Sequence, residues 1–215
     1  MIIIMLAKCV ISRSLVELYE ADPEIVFKTY GGRQETLLHR AALHRRIEMV
    51  QFLLEHGAGQ LEDVEGNTPL HCASLGGDAE VARALIAAGA DLEAVNHELD
   101  RPLHLAASVG NLEVVEVILE EGGDLYSRGS QENTALHQAA QAAQVEIMEE
   151  LVSRGLRIDD VNISGEHPIH LAAGVHGPHN SIRHVEFLLE AGANIKKSRT
   201  NEAEFSTLRY CALIG

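Results

Sequence analysis

One short pattern recurs five times at a nearly constant step, and no other property of the chain restricts its fold as much. It is clearest in Gly66-Asn67-Thr68-Pro69-Leu70-His71-Cys72-Ala73-Ser74. Near-copies follow at Arg101-Pro102-Leu103-His104-Leu105-Ala106-Ala107, Thr134-Ala135-Leu136-His137-Gln138-Ala139-Ala140 and His167-Pro168-Ile169-His170-Leu171-Ala172-Ala173, with an earlier one at Thr36-Leu37-Leu38-His39-Arg40-Ala41-Ala42. The apolar residue before each histidine falls at 38, 70, 103, 136 and 169, giving steps of 32, 33, 33 and 33. A fixed period of this length marks an array in which each unit is one supersecondary element. Such a unit cannot bury its apolar face alone, so its stability comes from its neighbours.

Local chemistry predicts what each unit contains. Thr68 is a good helix N-cap, and Pro69 suits the first helical position, where no backbone donor is missed. The first helix is expected to end at Gly77. A second runs from Asp78 to Ala88, with Val81, Ala84, Leu85 and Ala88 on one face, and Gly89 closes it in the left-handed conformation. From Ala90 onward the chain turns into an extended connection to the next unit.

The T-P-L-H-x-A core at a period near 33 resembles the ankyrin repeat. The resemblance implies an all-α fold with short β-hairpin connections, a solenoid of stacked helix–turn–helix–hairpin units. In these terms residues 1–31 form a degenerate N-terminal capping repeat, residues 32–205 five repeats, and residues 206–215 a partial sixth. In the first of these, residues 2–11 and 14–20 are read as two helices. Ser14 is the N-cap of the second, which stops at Ala21-Asp22-Pro23 because a proline disfavours helical geometry before it. Gly31-Gly32 marks the turn into the first full repeat.

The resemblance also implies that His39, His71, His104, His137 and His170 tie hairpin to helix by hydrogen bonds. The hairpin positions at which family members carry a hydroxylated Asn are Glu93, Tyr126, Asp159 and Lys196 here, so that modification is not expected.

Departures from the pattern locate specialised points. Arg45 and Ala143 stand where a glycine belongs between paired helices, and Arg101 and His167 replace the capping threonine. The fifth repeat carries about four extra residues within 174–183. An incomplete sixth unit is expected to mark either a piece of a longer protein or a makeshift cap.

Charge is unevenly spread. The formal net charge is -15, but residues 48–166 hold 23 acidic and five basic side chains, a net of -18, while residues 1–47 carry +2 and residues 167–215 carry +1. A negative field repels phosphate backbones, which argues against a nucleic-acid partner and for a basic protein. Three cysteines, Cys9, Cys72 and Cys211, form no metal-type spacing and fit a reducing, intracellular setting, cytoplasmic or nuclear. The apolar run at residues 1–7 lacks a basic leader and a small-residue cleavage site and is far shorter than the ~20 residues of a membrane span, so no membrane insertion is expected.

No catalytic signature occurs: there is no G-x-S-x-G, no phosphate-cradling glycine loop, no H-E-x-x-H and no cysteine pair. The chain is therefore read as non-enzymatic and without a cofactor. The leading function is a protein-interaction scaffold that recognises its partner through the concave groove and hairpin tips. The candidate contact residues are Val64, Glu65, Asn67, Leu75, His97, Glu98, Asp100, Ser108, Val109, Gln131, Glu132, Asn133, Gln141, Ile163 and Glu166. Acidic residues on the second helices (Glu113, Glu116, Glu120, Glu121; Glu146, Glu149, Glu150) read as solvated outer surface. The alternative is a regulatory or targeting module from a larger enzyme, channel or ubiquitin-ligase adaptor. A weaker alternative is a metal site: His176, His179 and His184 are spaced so that two or three imidazoles could surround zinc, against the simpler reading of a solvated loop. Composition leaves the oligomeric state open.

Overall fold

The structure is a computed structural model that describes residues 13–174 and 183–194, with side chains described from residue 16. The chain divides into two compact units. One comprises residues 1–103 and 113–123, the other residues 104–112 and 124–215.

The first unit opens with helix α1 (Arg13–Ala21), a 3-10 turn at Pro23–Val26, and a short antiparallel pair, β1 (Thr29–Tyr30) and β2 (Glu35–Thr36). The helix stops before Asp22-Pro23, and Gly31 (φ +73°) and Gln34 (φ +51°) turn the hairpin, as the Gly31-Gly32 signal suggested. Ser14 lies inside α1 and does not cap it, because the helix already includes Arg13. The residue 2–11 helix and the 206–215 unit fall outside the described residues.

Helix pairs follow. The first unit holds α2 (Leu37–Leu43) with α3 (Ile47–Glu55), then α4 (Pro69–Gly76) with α5 (Ala79–Ala87). Helices α6 (Pro102–Val109) and α7 (Leu112–Glu120) are shared between the units at Leu103 and Leu112. The second unit continues with α8 (Ala135–Gln141) and α9 (Val145–Ser153), then α10 (Pro168–Ala173) and α11 (Arg183–Glu190). In the first unit α2 packs on both α3 and α4, and α3 and α4 each pack on α5. In the second, α8 packs on α9 and α10, and α11 on both of those.

The packing is close because first helices are built from small residues. A Cβ placed on Gly76 in α4 would lie 2.8 Å from the Leu43 carbonyl oxygen and 2.9 Å from that of Ala42, so α2 and α4 approach backbone to backbone. Leu37, Leu38, Leu53, Leu70, Leu85 and Ile118 form the fully buried core of the first unit. Leu136, Ile147, Met148, Leu151 and Ile169 form that of the second. In α5 the buried face is Val81, Ala82 and Leu85, with Ala84 half-buried and Ala88 exposed. The expected face was offset because alanines carry little periodic signal of their own. Asp78 caps this helix, its Oδ1 accepting from the Val81 amide at 3.0 Å.

The turns between paired helices need a left-handed residue. Gly77 and Gly110 supply it at φ +78° and +89°, while Arg45 and Ala143 adopt φ +58° without glycine's freedom. Arg45 makes use of its place, since its Nε donates to the Gly76 carbonyl oxygen of the following repeat.

Candidate functional site: the hairpin tips

Two rows of residues define each hairpin, one holding it and one facing solvent. The holding row starts with the histidines. The Thr36 backbone amide donates to Nδ1 of His39 at 3.2 Å, and the Thr36 hydroxyl lies 2.8 Å from the same atom. That leaves the proton on Nε2, which donates to the Asn67 carbonyl oxygen of the next hairpin at 2.9 Å. His71 repeats the arrangement with Thr68 and the Asp100 carbonyl at 3.1 Å, and His137 with Thr134 and the Glu166 carbonyl at 3.0 Å. His104 donates to Ser127, at 3.3 Å. His170 accepts from the His167 amide at 2.9 Å, so the helix is closed without the threonine.

Burial sets the charge state of these rings. Loss of hydration pushes the His39 and His71 imidazoles below the ordinary histidine value, against the weaker pull of the carbonyls they bond. It takes His137 down to about 4. They are neutral structural pins. Burial likewise pushes the Cys72 thiol up to about 12, so it is an inert core residue.

Three of the tips are folded by the side chain that starts the turn. Oδ1 of Asp63 accepts from the amides of Glu65 and Asn67 at 2.8 and 2.9 Å. Asn96 does the same for Glu98 and Asp100, and Asn162 for Ser164 and Glu166. Backbone bonds then join neighbouring tips: Val64 N to Arg33 O, His97 N to Glu65 O, and Ile163 N to Gln131 O, all 2.9 Å.

This register sorts the candidate residues. Asn67, Asp100, Asn133 and Glu166 occupy one equivalent position, and the structure turns that position inward. Asp100 is 6% exposed and Asn133 4% exposed. Asn67, Asp100 and Glu166 present their carbonyls to the histidines, and Asn133 Oδ1 accepts from Asn162 Nδ2 at 3.1 Å. Asp100 and Asn133 are buried in this role, and Asn67 and Glu166 are half-buried. Ser108 is also half-buried and bonds the Leu105 carbonyl at 2.9 Å. Val64, Glu65, Leu75, His97, Glu98, Val109, Gln131, Glu132, Gln141 and Ile163 are exposed.

Several exposed tip residues carried no signal in the sequence. The position next to the support row is Gly66, Leu99, Glu132 and Gly165 in successive hairpins, with φ of +76°, +67°, +57° and +76°. Leu99 is left-handed, 61% exposed and visible only when set against the two glycines. Val95 and Val161 are exposed at another shared position.

The hairpin at residues 129–133 is built differently. Gly129 has no side chain to organise the turn, and Ser130–Glu132 winds into a 3-10 turn with Gln131 at φ +55°. Arg128 holds it from behind. Its Nη1 donates to the carbonyls of Glu132 and Val161 at 2.9 and 2.6 Å, and Nη2 lies 3.7 Å from Asp160.

The capped short helices, the paired second helices and the pinned hairpins match one known architecture. A model of three ankyrin repeats matches residues 4–96 and again 103–199. The chain belongs to the ankyrin-repeat family. Its fold class is the all-α repeat with hairpin connections. Similar proteins include protein phosphatase 1 regulatory subunit 27 of Homo sapiens, 42% identical over 64 residues, which are 29% of this chain and 42% of that relative. Potassium channel AKT3 of Oryza sativa subsp. japonica is 44% identical over 59 residues, 27% of this chain and 6% of the channel. Palmitoyltransferase ZDHHC17 of Rattus norvegicus is 35% identical over 88 residues, 38% of this chain and 14% of that protein. The match therefore spans less than half the length of each of these curated relatives. Ankyrin repeats generally mediate protein–protein interaction, and the family is typically non-catalytic.

Other charged and polar groups of this ankyrin array face solvent or pair locally. Glu113, Glu120, Glu146 and Glu149 are exposed on the second helices and Glu121 just after α7, and Glu120 and Glu121 pair with Arg83 at 2.8 and 3.5 Å. His184 is buried, with Nε2 donating to the Ala172 carbonyl at 3.1 Å, while His176 and His179 lie outside the described residues. Among the described residues no three His, Cys, Asp or Glu side chains gather as metal ligands, and no helix is long and apolar enough to cross a membrane.

Proposed function

We propose that the chain is a non-catalytic intracellular recognition module that binds a basic protein through the exposed side chains of its hairpin tips. One observation carries the reading. The backbone of three tips is fixed by the same hydrogen bonds, yet the outward side chains at their shared register differ: Val64, His97 and Ile163. A constant frame with a variable outward row is how a repeat array encodes a partner, since fixed loops bind without the cost of ordering them. The acidic balance of residues 48–166 supports a basic partner.

A photo-crosslinking residue at position 98 tests this against one at position 116 on the second-helix surface. The expected result is capture of a basic protein from position 98, weakened by added salt. Capture only from position 116 would overturn the reading.

A second reading rests on the relatives. Matches to short portions of a channel and a palmitoyltransferase support a module that serves a larger protein, and a regulatory subunit is also among the similar proteins. The two readings share the same tips.

A further inference from the structure

Among the described residues Leu99 and Ile163 are the most exposed of the large apolar side chains, at 61% and 67%. Each stands beside a carboxylate. Leu99 directly follows Glu98 in one tip. Ile163 is bonded through its amide to Gln131, whose next residue is Glu132. Among the described residues, no cation pairs with the Glu98 or Glu132 carboxylate, whereas Glu65 faces Arg33 at 3.4 Å and Glu93 faces Arg101 at 2.9 Å.

These neighbourhoods are fixed, and fixing them is costly. Leu99 and Glu132 both hold left-handed backbones where other hairpins use glycine, a conformation that crowds a residue with a Cβ against its own carbonyl. Leu99 is held by the turn that Asn96 organises, and Glu132 by Arg128 on its carbonyl. Such strain persists only where the surroundings impose it.

Resting on the proposed tip recognition, we infer that each unit carries a subsite for one lysine or arginine side chain of a basic protein segment. Glu98 with Leu99 forms it in the first unit, and Glu132 with Ile163 in the second. A long cationic side chain has two parts, an apolar stem and a charged head. The stem covers exposed aliphatic surface while the head meets the carboxylate. An aliphatic residue alone would suit any apolar partner, and a carboxylate alone would attract any cation. Placed side by side they select a cation on an apolar stem.

The probe is a fluorescent peptide of alternating lysine and glycine, measured by anisotropy against the full chain and three double variants. Glu98→Gln with Glu132→Gln should weaken binding at least ten-fold. Leu99→Asn with Ile163→Asn leaves net charge unchanged and should still weaken it about five-fold, by uncovering the stem. Asn tolerates the left-handed position, and a thermal melt confirms folding. Glu113→Gln with Glu116→Gln removes the same charge from the second-helix surface and should weaken binding less than two-fold. Equal losses in the two glutamate pairs, or no loss in the Leu99/Ile163 pair, would overturn the inference in favour of long-range attraction. Failure of the wild-type chain to bind the peptide would overturn it as well. A basic protein still captured from position 98 would then leave the broader reading standing.

Discussion

At the scale of single residues, one type of side chain does two unlike jobs according to depth. His39, His71 and His137 are neutral because water cannot reach them, and both ring nitrogens are engaged. His97 stands in solvent at a tip. His71→Ala should destabilise the chain by about 1–3 kcal/mol, since it removes the acceptor of the buried Thr68 amide and one of the two donors to the Asp100 carbonyl. His97→Ala should change stability by less than about 0.5 kcal/mol. Urea melts of the two variants check the contrast.

The buried rings also fix a pH dependence. Their folded values are below the ordinary 6.5, so above that pH both states are neutral and stability is at its full level. As pH falls below 6.5 the unfolded chain takes up protons that the folded chain refuses. Stability should decline from there down to about 4, where His137 titrates in the fold. Urea midpoints at pH 7.5 and 5.0 measure this. An unchanged midpoint would show that the rings are not buried neutral.

Helices and hairpins show how far the pattern could be read and where it stopped. Caps, turns and pins were legible because they depend on side chains with few substitutes: Thr68, Pro69, Gly77 and His71. The support row was not, because it works through its backbone. Asn67, Asp100, Asn133 and Glu166 alternate between amide and carboxylate side chains, and three of them present a backbone carbonyl to a histidine. Leu99 was hidden for the opposite reason, as a leucine in a place defined by glycine.

Two substitutions test the element geometry. Gly76→Ala should cost about 1–3 kcal/mol, because the added carbon meets two backbone oxygens that cannot move aside. Ala143→Gly should stabilise the second unit by up to about 1 kcal/mol, since it relieves a left-handed alanine. Thermal melts compare both with the parent chain.

At the scale of the whole molecule, the proposed binding mode assigns approach to the negative charge of residues 48–166 and retention to the tips. Reversing Glu65, Glu98 and Glu132 changes net charge as much as reversing Glu113, Glu116 and Glu120. Both should slow association with a basic partner similarly, while the tip triple alone should speed dissociation. Surface-immobilised kinetics separate the two rates, and faster dissociation from the helix triple would place the partner on the other surface. The period and the charge distribution were legible in the chain alone. The direction of each acidic side chain was not, because turn residues and contact residues have the same composition.

The histidine pins carry one more implication. The His39, His71 and His137 rings each close the helix of their own repeat with one nitrogen and grip the following hairpin with the other. A helix pinned in this way is only as secure as the hairpin ahead of it. Where the chain is cut then matters to single residues. A fragment ending at residue 61 deprives His39 of its acceptor, whereas one ending a few residues beyond Asn67 keeps that acceptor in place.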